Sequence, residues 1–251
     1  MTASPVDVGV CVPVLDERDA LGALLDDLAR TFDGGRYTVC IVDDGSTDGT
    51  RDLVADRARS DPRIHLLART KTGPGCRRGG ASRAGLAWLL ENTAHTHFTD
   101  VDADGAHRPD EVVRALGLAA RLGADAVIAS KYVPGAVVTG RPLARRAGSR
   151  AYNLLLRGLL APHLHDYSNT FRTYSRAAAE LTQRYEPLFD TPVYMVEMVA
   201  IWLSHGLRVV EMPTTYVERR LGASKVVPAD FVRGASGALR VGWAYRSGRY
   251  R

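Results

Sequence analysis

The sequence has no run of apolar residues approaching the roughly 20 that carry a helix across a bilayer. It has no internal repeat, no low-complexity segment and no flexible linker. Met1-Thr2-Ala3-Ser4-Pro5 shows neither the basic nor the apolar region of a secretory signal, so a cytoplasmic location is expected. Cysteine is scarce: Cys11, Cys40 and Cys76 show no C-x-x-C pairing. Reduced thiols are therefore the expectation rather than a disulfide framework. Glycines crowd residues 73–80, but not as G-x-G-x-x-G after a strand with an acid downstream, which leaves only a weak dinucleotide signal.

What is present is ordinary globular material. Hydrophobic residues make up 45% and charged residues 24% of 251, enough for a sizeable core in one α/β domain or two small ones. The net charge of +5 is unevenly spread. Residues 1–60 hold 6 Arg against 12 Asp and Glu, whereas residues 212–251 hold 8 Lys and Arg against 2 acids. A basic tail suits a phosphate, an anionic membrane surface or a nucleic acid, or is a solvated helix face. The acidic first part of the chain argues against nucleic acid.

Residues 6–14 are apolar and β-branched and read as a buried strand, closed by Pro13. Leu21, Leu24, Leu25 and Leu28 form a helical stripe within 16–31. Further strands are predicted at 37–42, 63–68, 97–101 and 126–130, with helices ending near 60 and 91 and spanning 109–122 between them. Five alternations of this kind predict a parallel sheet covered by helices on both faces. Ligands of such sheets bind at the carboxyl ends of the strands. The second half is less regular. A basic amphipathic helix is expected over 140–160, a short strand near 172, a helix over 193–205 and a strand over 207–216. A last helix over 229–245 carries Phe231, Ala235, Leu239 and Trp243 on one stripe.

Acidic turns collect at the carboxyl edge. Asp102 and Asp104, one residue apart after the fourth strand, can aim two hard oxygens at one point, as Mg²⁺ or Mn²⁺ beside a diphosphate requires. Asp43 and Asp44 follow the second strand, where a carboxylate can accept ribose hydroxyls or a base N–H. Helix capping is the competing reading for both pairs. A lone histidine such as His107 beside a D-x-D serves more often as a hydrogen-bond partner behind the ligands than as a ligand.

At these residues a family resemblance emerges. Ile41-Val42-Asp43-Asp44-Gly45-Ser46-Thr47-Asp48-Gly49-Thr50 resembles the nucleotide-binding segment of inverting family 2 glycosyltransferases with the GT-A fold. Val10-Cys11-Val12-Pro13-Val14-Leu15-Asp16-Glu17 resembles that family's opening strand, and Val101-Asp102-Ala103-Asp104 its metal-binding D-x-D. Three further stretches are similar to the polyprenol-phosphate (dolichol-phosphate) mannosyltransferase branch. They are Ser130-Lys131-Tyr132-Val133-Pro134-Gly135, Asp166 through Phe171-Arg172, and Val217-Glu218-Arg219-Arg220-Leu221-Gly222-Ala223-Ser224-Lys225. Departures from the pattern are Leu15, Ala106, Lys131 in place of arginine, Thr170, and a glycine loop over 69–81 rich in arginine.

The resemblance implies an α/β, GT-A (Rossmann-like) fold with a mostly parallel central sheet and helices on both faces. It implies one such domain over 1–227, followed by a basic amphipathic helix and tail over 228–251. Glu17, Asp43, Asp44 and Asp102 would bind the nucleotide, and Asp102 and Asp104 would hold Mg²⁺ or Mn²⁺. Lys131, Arg150, Arg219 and Lys225 would place an acceptor phosphate. An acceptor that must lose a proton would need a base, with Asp166 the first candidate and Glu197 the second. The implied reaction moves a mannose- or glucose-type hexose from a GDP- or UDP-sugar to a polyprenyl phosphate, with peripheral contact at the cytoplasmic membrane face. A soluble small-molecule acceptor is the alternative within the class. A basic membrane-surface module without catalysis is the alternative outside it. A sugar nucleotidyltransferase is disfavoured, because Val14-Leu15-Asp16-Glu17 is not the G-x-G-T-R-x-x-P-like loop that such an enzyme shows after its first strand.

Overall fold

The computed structural model describes residues 6–70, 78–218 and 228–251. Seven strands form one sheet in the order β3-β2-β1-β4-β7-β5-β8. They are β1 (Asp7–Val14), β2 (Arg36–Asp43), β3 (Ile64–Ala68), β4 (His97–Asp100), β5 (Ala126–Ser130), β7 (Arg172–Ser175) and β8 (Val209–Pro213). All neighbours pair in parallel except β7, which runs antiparallel to both β4 and β5. β6 (Val137–Thr139) and β9 (Thr215–Val217) form a separate two-stranded ribbon. The strand expected over 207–216 is thus two, broken after Pro213, which has no N–H to extend a ladder.

The period-2 alternation of the strands feeds two cores. Val10, Val12, Val39 and Ile41 face α1 (Arg18–Thr31), α2 (Thr50–Ser60) and α4 (Asp110–Leu122). Cys11, Cys40 and Val42 face α3 (Arg78–Asn92) in a second core that also takes in α6 (Arg176–Gln183), α7 (Tyr194–Ser204) and α8 (Pro228–Arg246). Both described cysteines are buried and free, and Cys76 lies outside the described residues. α5 (Leu143–Leu159) joins the second core through Leu156. Glycine makes the close approaches possible. A Cβ at Gly85 would sit 2.5 Å from Cys11 Sγ, and one at Gly79 would sit 2.4 Å from the Thr191 carbonyl oxygen.

Pro13 does not end β1. It pairs in register with Val42, and the strand continues to Val14. Alternate residues of a strand turn their backbone polar groups to opposite neighbours. Cys11 points its carbonyl at Val101 on the β4 side, so Pro13 also faces that side, past the last β1–β4 pair at Cys11 and Asp100. Its missing N–H therefore leaves no ladder bond unmade, and β1 and β4 part there. The order 3-2-1-4 reverses direction at the same place, which opens a crevice at the carboxyl edge.

Candidate active site

Among the described residues, the turns after β1, β2 and β4 and the segment 166–172 meet at this crevice. After β1, Asp16 adopts φ 51°, a left-handed backbone uncommon outside glycine. The turn after β2 holds it there. Asp16 N–H donates to Ser46 Oγ at 2.9 Å, and Asp16 Oδ1 accepts the Thr47 N–H at 2.7 Å. Glu17 follows, half-buried, with its N–H on Thr50 Oγ1 at 3.1 Å. After β2, Asp43 is fully buried and its Oδ1 accepts from Gly45 N–H, Ser46 N–H and Arg51 Nε. Burial pushes the Asp43 carboxyl up, but the Ser46 and Arg51 donors outweigh it and hold the group below the usual range. Asp43 thus shapes the turn. Asp44 lies beside it, nearly buried, 3.6 Å from Arg69 Nη1.

After β4 come Asp102 and Asp104. Thr170 Oγ1 donates to Asp102 Oδ2 at 2.6 Å, and the Arg78 guanidinium pairs with Asp102 Oδ1. Asp104 Oδ1 accepts the Ala106 N–H at 3.0 Å, so Ala106 contributes a backbone donor where a side-chain ligand is common in the resembling family. Among the described residues no group of three His, Cys, Asp or Glu forms a metal cage. Two carboxylates at a strand end fit a divalent ion that keeps water and completes its sphere with phosphate oxygens. His107 stands behind them. Its Nδ1 lies 3.1 Å from Thr214 Oγ1 and its Nε2 3.1 Å from Asn169 Oδ1, with the ring stacked on Phe171. Both ring nitrogens are engaged away from the carboxylates, as expected of a supporting histidine.

The segment 166–172 closes the crevice. Asp166 is fully buried and accepts from Lys131 Nζ at 2.8 Å, the Lys131, Ser168 and Asn169 N–H groups, and Ser168 Oγ. Burial raises its carboxyl, but the Lys131 ammonium and these donors win, and the group stays ionised below its usual range. Burial pulls the Lys131 pKa below its usual value, opposed mainly by the Asp166 carboxylate and less by Asp102. Arg172 is buried, and its guanidinium donates to the carbonyls of Met195, Tyr167 and Asn169. Burial lowers its pKa to about 10. The F-R pair therefore folds the loop that sets Thr170 on Asp102.

The other base candidate is elsewhere. Glu197, on α7, accepts the Leu188 N–H and the Tyr250 hydroxyl. Burial pushes its carboxyl up. None of its partners belongs to the crevice, so Glu197 ties α7 to the chain end and the structure does not bring it to the reacting region. Arg219 and Lys225 lie outside the described residues.

Beside Lys131 opens a cavity of about 640 Å³. Val133, Pro134, Ala136, Val138 and Leu154 give it an apolar lining; Arg146, Arg150, Arg157 and His165 give it a basic one. Of these, sequence reasoning singled out Arg150 alone. Arg146 and Arg157 were legible only as part of a basic helix face. Arg78 and the Thr170 bond were not foreseen, and the one signal for Arg78 was the excess of arginine near the glycine loop.

A similar fold occurs in the glucosyl-3-phosphoglycerate synthase of Mycobacterium tuberculosis, solved with Mn²⁺, UDP-glucose and phosphoglyceric acid. It superposes with a TM-score of 0.67 over 94% of this chain and 80% of that one, at 18% identity. The fold is that of the GT-A glycosyltransferases. Residues 9–182 match the model of Glycosyl transferase family 2, and the chain belongs to that family. It is 35% identical over 221 residues to the polyprenol monophosphomannose synthase of Mycolicibacterium smegmatis, covering 86% of this chain and 80% of that protein. It is 37% identical over 188 residues to the undecaprenyl-phosphate mannosyltransferase of Micrococcus luteus, covering 75% of each. The protein is an enzyme, a family 2 glycosyltransferase.

Proposed function

We propose that this glycosyltransferase moves a mannose- or glucose-type hexose, with inversion, from a GDP- or UDP-sugar to a polyprenyl phosphate. The observation that carries the reading is the cavity beside Lys131. Its arginines suit a phosphate monoester, and its apolar side suits the first isoprene units. Both named relatives are, by name, polyprenyl-phosphate enzymes, which supports the same acceptor class.

In this reading Glu17 and Asp44 contact the nucleoside, with Asp43 holding the turn that carries Asp44. Asp102 and Asp104 would hold a divalent ion, Mg²⁺ or Mn²⁺, which would supply positive charge against that developing on the leaving diphosphate. The acceptor phosphate oxygen attacks the anomeric carbon from the face opposite the leaving group. The new C–O bond forms as the bond to the diphosphate breaks, and the nucleoside diphosphate departs. A phosphate monoester is already ionised at neutral pH, so the chemistry asks for cations rather than a base. Lys131, Arg150 and the neighbouring Arg146 and Arg157 supply them. Asp166 then acts as the counter-charge that positions Lys131.

No helix among the described residues is long and apolar enough to cross a membrane. Peripheral contact with a lipid surface is supported by Leu154 on α5 and by Leu239 and Trp243 on α8, which are 67%, 54% and 73% exposed. Arginines on both helices would face anionic headgroups.

The test is to incubate the protein with Mn²⁺ or Mg²⁺ and a panel of GDP-, UDP- and dTDP-sugars, following thermal shift and nucleotide release. Short-chain polyprenyl phosphate and 3-phosphoglycerate serve as alternative acceptors. Stabilisation by one nucleotide, lost in Asp104→Ala, with turnover on the polyprenyl phosphate, is expected. Turnover on the soluble phosphate alone would overturn the lipid acceptor, and no nucleotide binding at all would overturn the donor.

A further inference from the structure

A protein cation stands at the D-x-D. Arg78, the first residue of α3, places its guanidinium on Asp102 Oδ1, and Thr170 occupies Oδ2. The pair is well shielded, with the Arg78 and Asp102 side chains 15% and 22% exposed. Arg78 also lies within the field of Asp100, a fully buried carboxylate bonded to the Tyr174 hydroxyl. Its backbone is anchored: Gly80 N–H donates to the Asp190 carbonyl at 2.9 Å, and Gly79 fits against Thr191 and Tyr194 where no Cβ could. The guanidinium is thus delivered to the acidic turn by a helix start that cannot back away.

We infer that Arg78 is a donor-site residue, for a nucleoside diphosphate, that exchanges partners during binding. Without ion or nucleotide bound, it neutralises Asp102. When a divalent ion arrives with a nucleoside diphosphate, the ion takes the Asp102 carboxylate and Arg78 turns to the phosphates, which a planar guanidinium binds in a two-pronged fashion. Two consequences follow. A bare ion must displace a shielded guanidinium without compensation, so it binds weakly alone. The nucleotide offers Arg78 a replacement anion, so ion and nucleotide bind cooperatively, each raising the affinity of the other by the same factor. The exchange also keeps Asp102 paired when no donor is bound, sparing a shielded carboxylate an uncompensated charge.

This inference rests on the proposed donor site, and the experiment separates the two. Binding of Mn²⁺ is read by electron paramagnetic resonance of the free ion, first alone and then with UDP or GDP, on the wild type, Arg78→Ala and Arg78→Lys. Arg78→Ala is expected to bind Mn²⁺ alone about tenfold more tightly than the wild type. It is expected to bind the nucleotide in the presence of Mn²⁺ about tenfold more weakly, so the ion–nucleotide cooperativity collapses. Arg78→Lys, which keeps the charge but not the fork, should keep the weak binding of the bare ion and lose part of the nucleotide affinity. Adding Asp104→Ala to Arg78→Ala should abolish the gained Mn²⁺ affinity. Unchanged or weaker binding of bare Mn²⁺ by a folded Arg78→Ala protein would overturn the inference, as would cooperativity equal to that of the wild type. If Arg78→Ala does not fold, Arg78→Lys with wild-type affinity for both ligands overturns it. Failure of the wild type to bind any nucleotide would instead overturn the donor reading itself.

Discussion

Lys131 and Asp166 illustrate how far a single pair can be read. The lysine replaces an arginine usual in the resembling branch, and the aspartate looked like a base. In the structure each satisfies the other in a nearly dry environment, with 6% and 0% of the side chains exposed. Removing one charge leaves the other buried and unpaired, so Asp166→Asn should cost about 3–5 kcal/mol in urea unfolding at pH 7. The pH dependence has a defined sign. Because the folded carboxyl lies below its usual range, its contribution is complete above the unfolded value near pH 4. It is lost as pH falls through the lower folded value. The stability gap between wild type and Asp166→Asn should therefore be constant from neutral pH down to about pH 5 and narrow below it. A gap that does not narrow below about pH 4 would contradict a carboxylate held by Lys131. A free general base would show the opposite pattern: little loss of stability and a large loss of turnover.

Among the elements, α8 is the one whose apolar stripe could, from sequence alone, equally pack on the sheet or lie on an anionic membrane. The stripe Ala235, Leu239 and Trp243 has the spacing of a core face, yet it turns outward. The inward face consists instead of Gly237, Ala238, Val241, Gly242 and Ala244. A Cβ at Gly242 would lie 2.9 Å from Leu159 Cβ, and one at Gly237 would lie 2.8 Å from Val193 Cγ2. Close approach to α5 and α7 selects small residues and leaves the large ones outside. Leu239→Ser with Trp243→Ala should then change stability by less than about 0.5 kcal/mol per substitution, as for other exposed positions. The same variant should lose sedimentation with vesicles containing anionic lipid, if the outward stripe meets a membrane. Retained vesicle binding would remove α8 from the proposed contact surface. Strand identity was easier to read, because buried parallel strands appear as continuous β-branched runs. β7 gave no hint of its direction, which depends on its two neighbours rather than on its own four residues.

On the scale of the whole molecule, the chain end is part of the core. Ala238, Val241, Ala244 and Tyr250 belong to the second core, where α8 packs on α5 and α7, and Tyr250 donates to Glu197. A chain ending at 227 would expose that surface and orphan a buried carboxylate. A loss of about 5 kcal/mol or more is expected, seen as a non-cooperative melt by near-UV circular dichroism. A 1–227 fragment that melts like the full chain would show that the boundary expected there is a true domain edge.

The sequence by itself determined the layer architecture and the acidic turns, because strand runs, helix spacing and D-D-G-S and D-x-D turns are local patterns written in consecutive residues. It placed Asp44, Asp102 and Asp104 at one edge, since parallel strands send all their carboxyl ends the same way. Only the tertiary structure decided what these groups touch. Arg78 meets Asp102, Asp166 is consumed by Lys131, and Glu197 is taken by Tyr250 through contacts between residues 24, 35 and 53 positions apart. Charge pairing over such distances depends on how helices and loops pack, and composition and spacing carry no record of it.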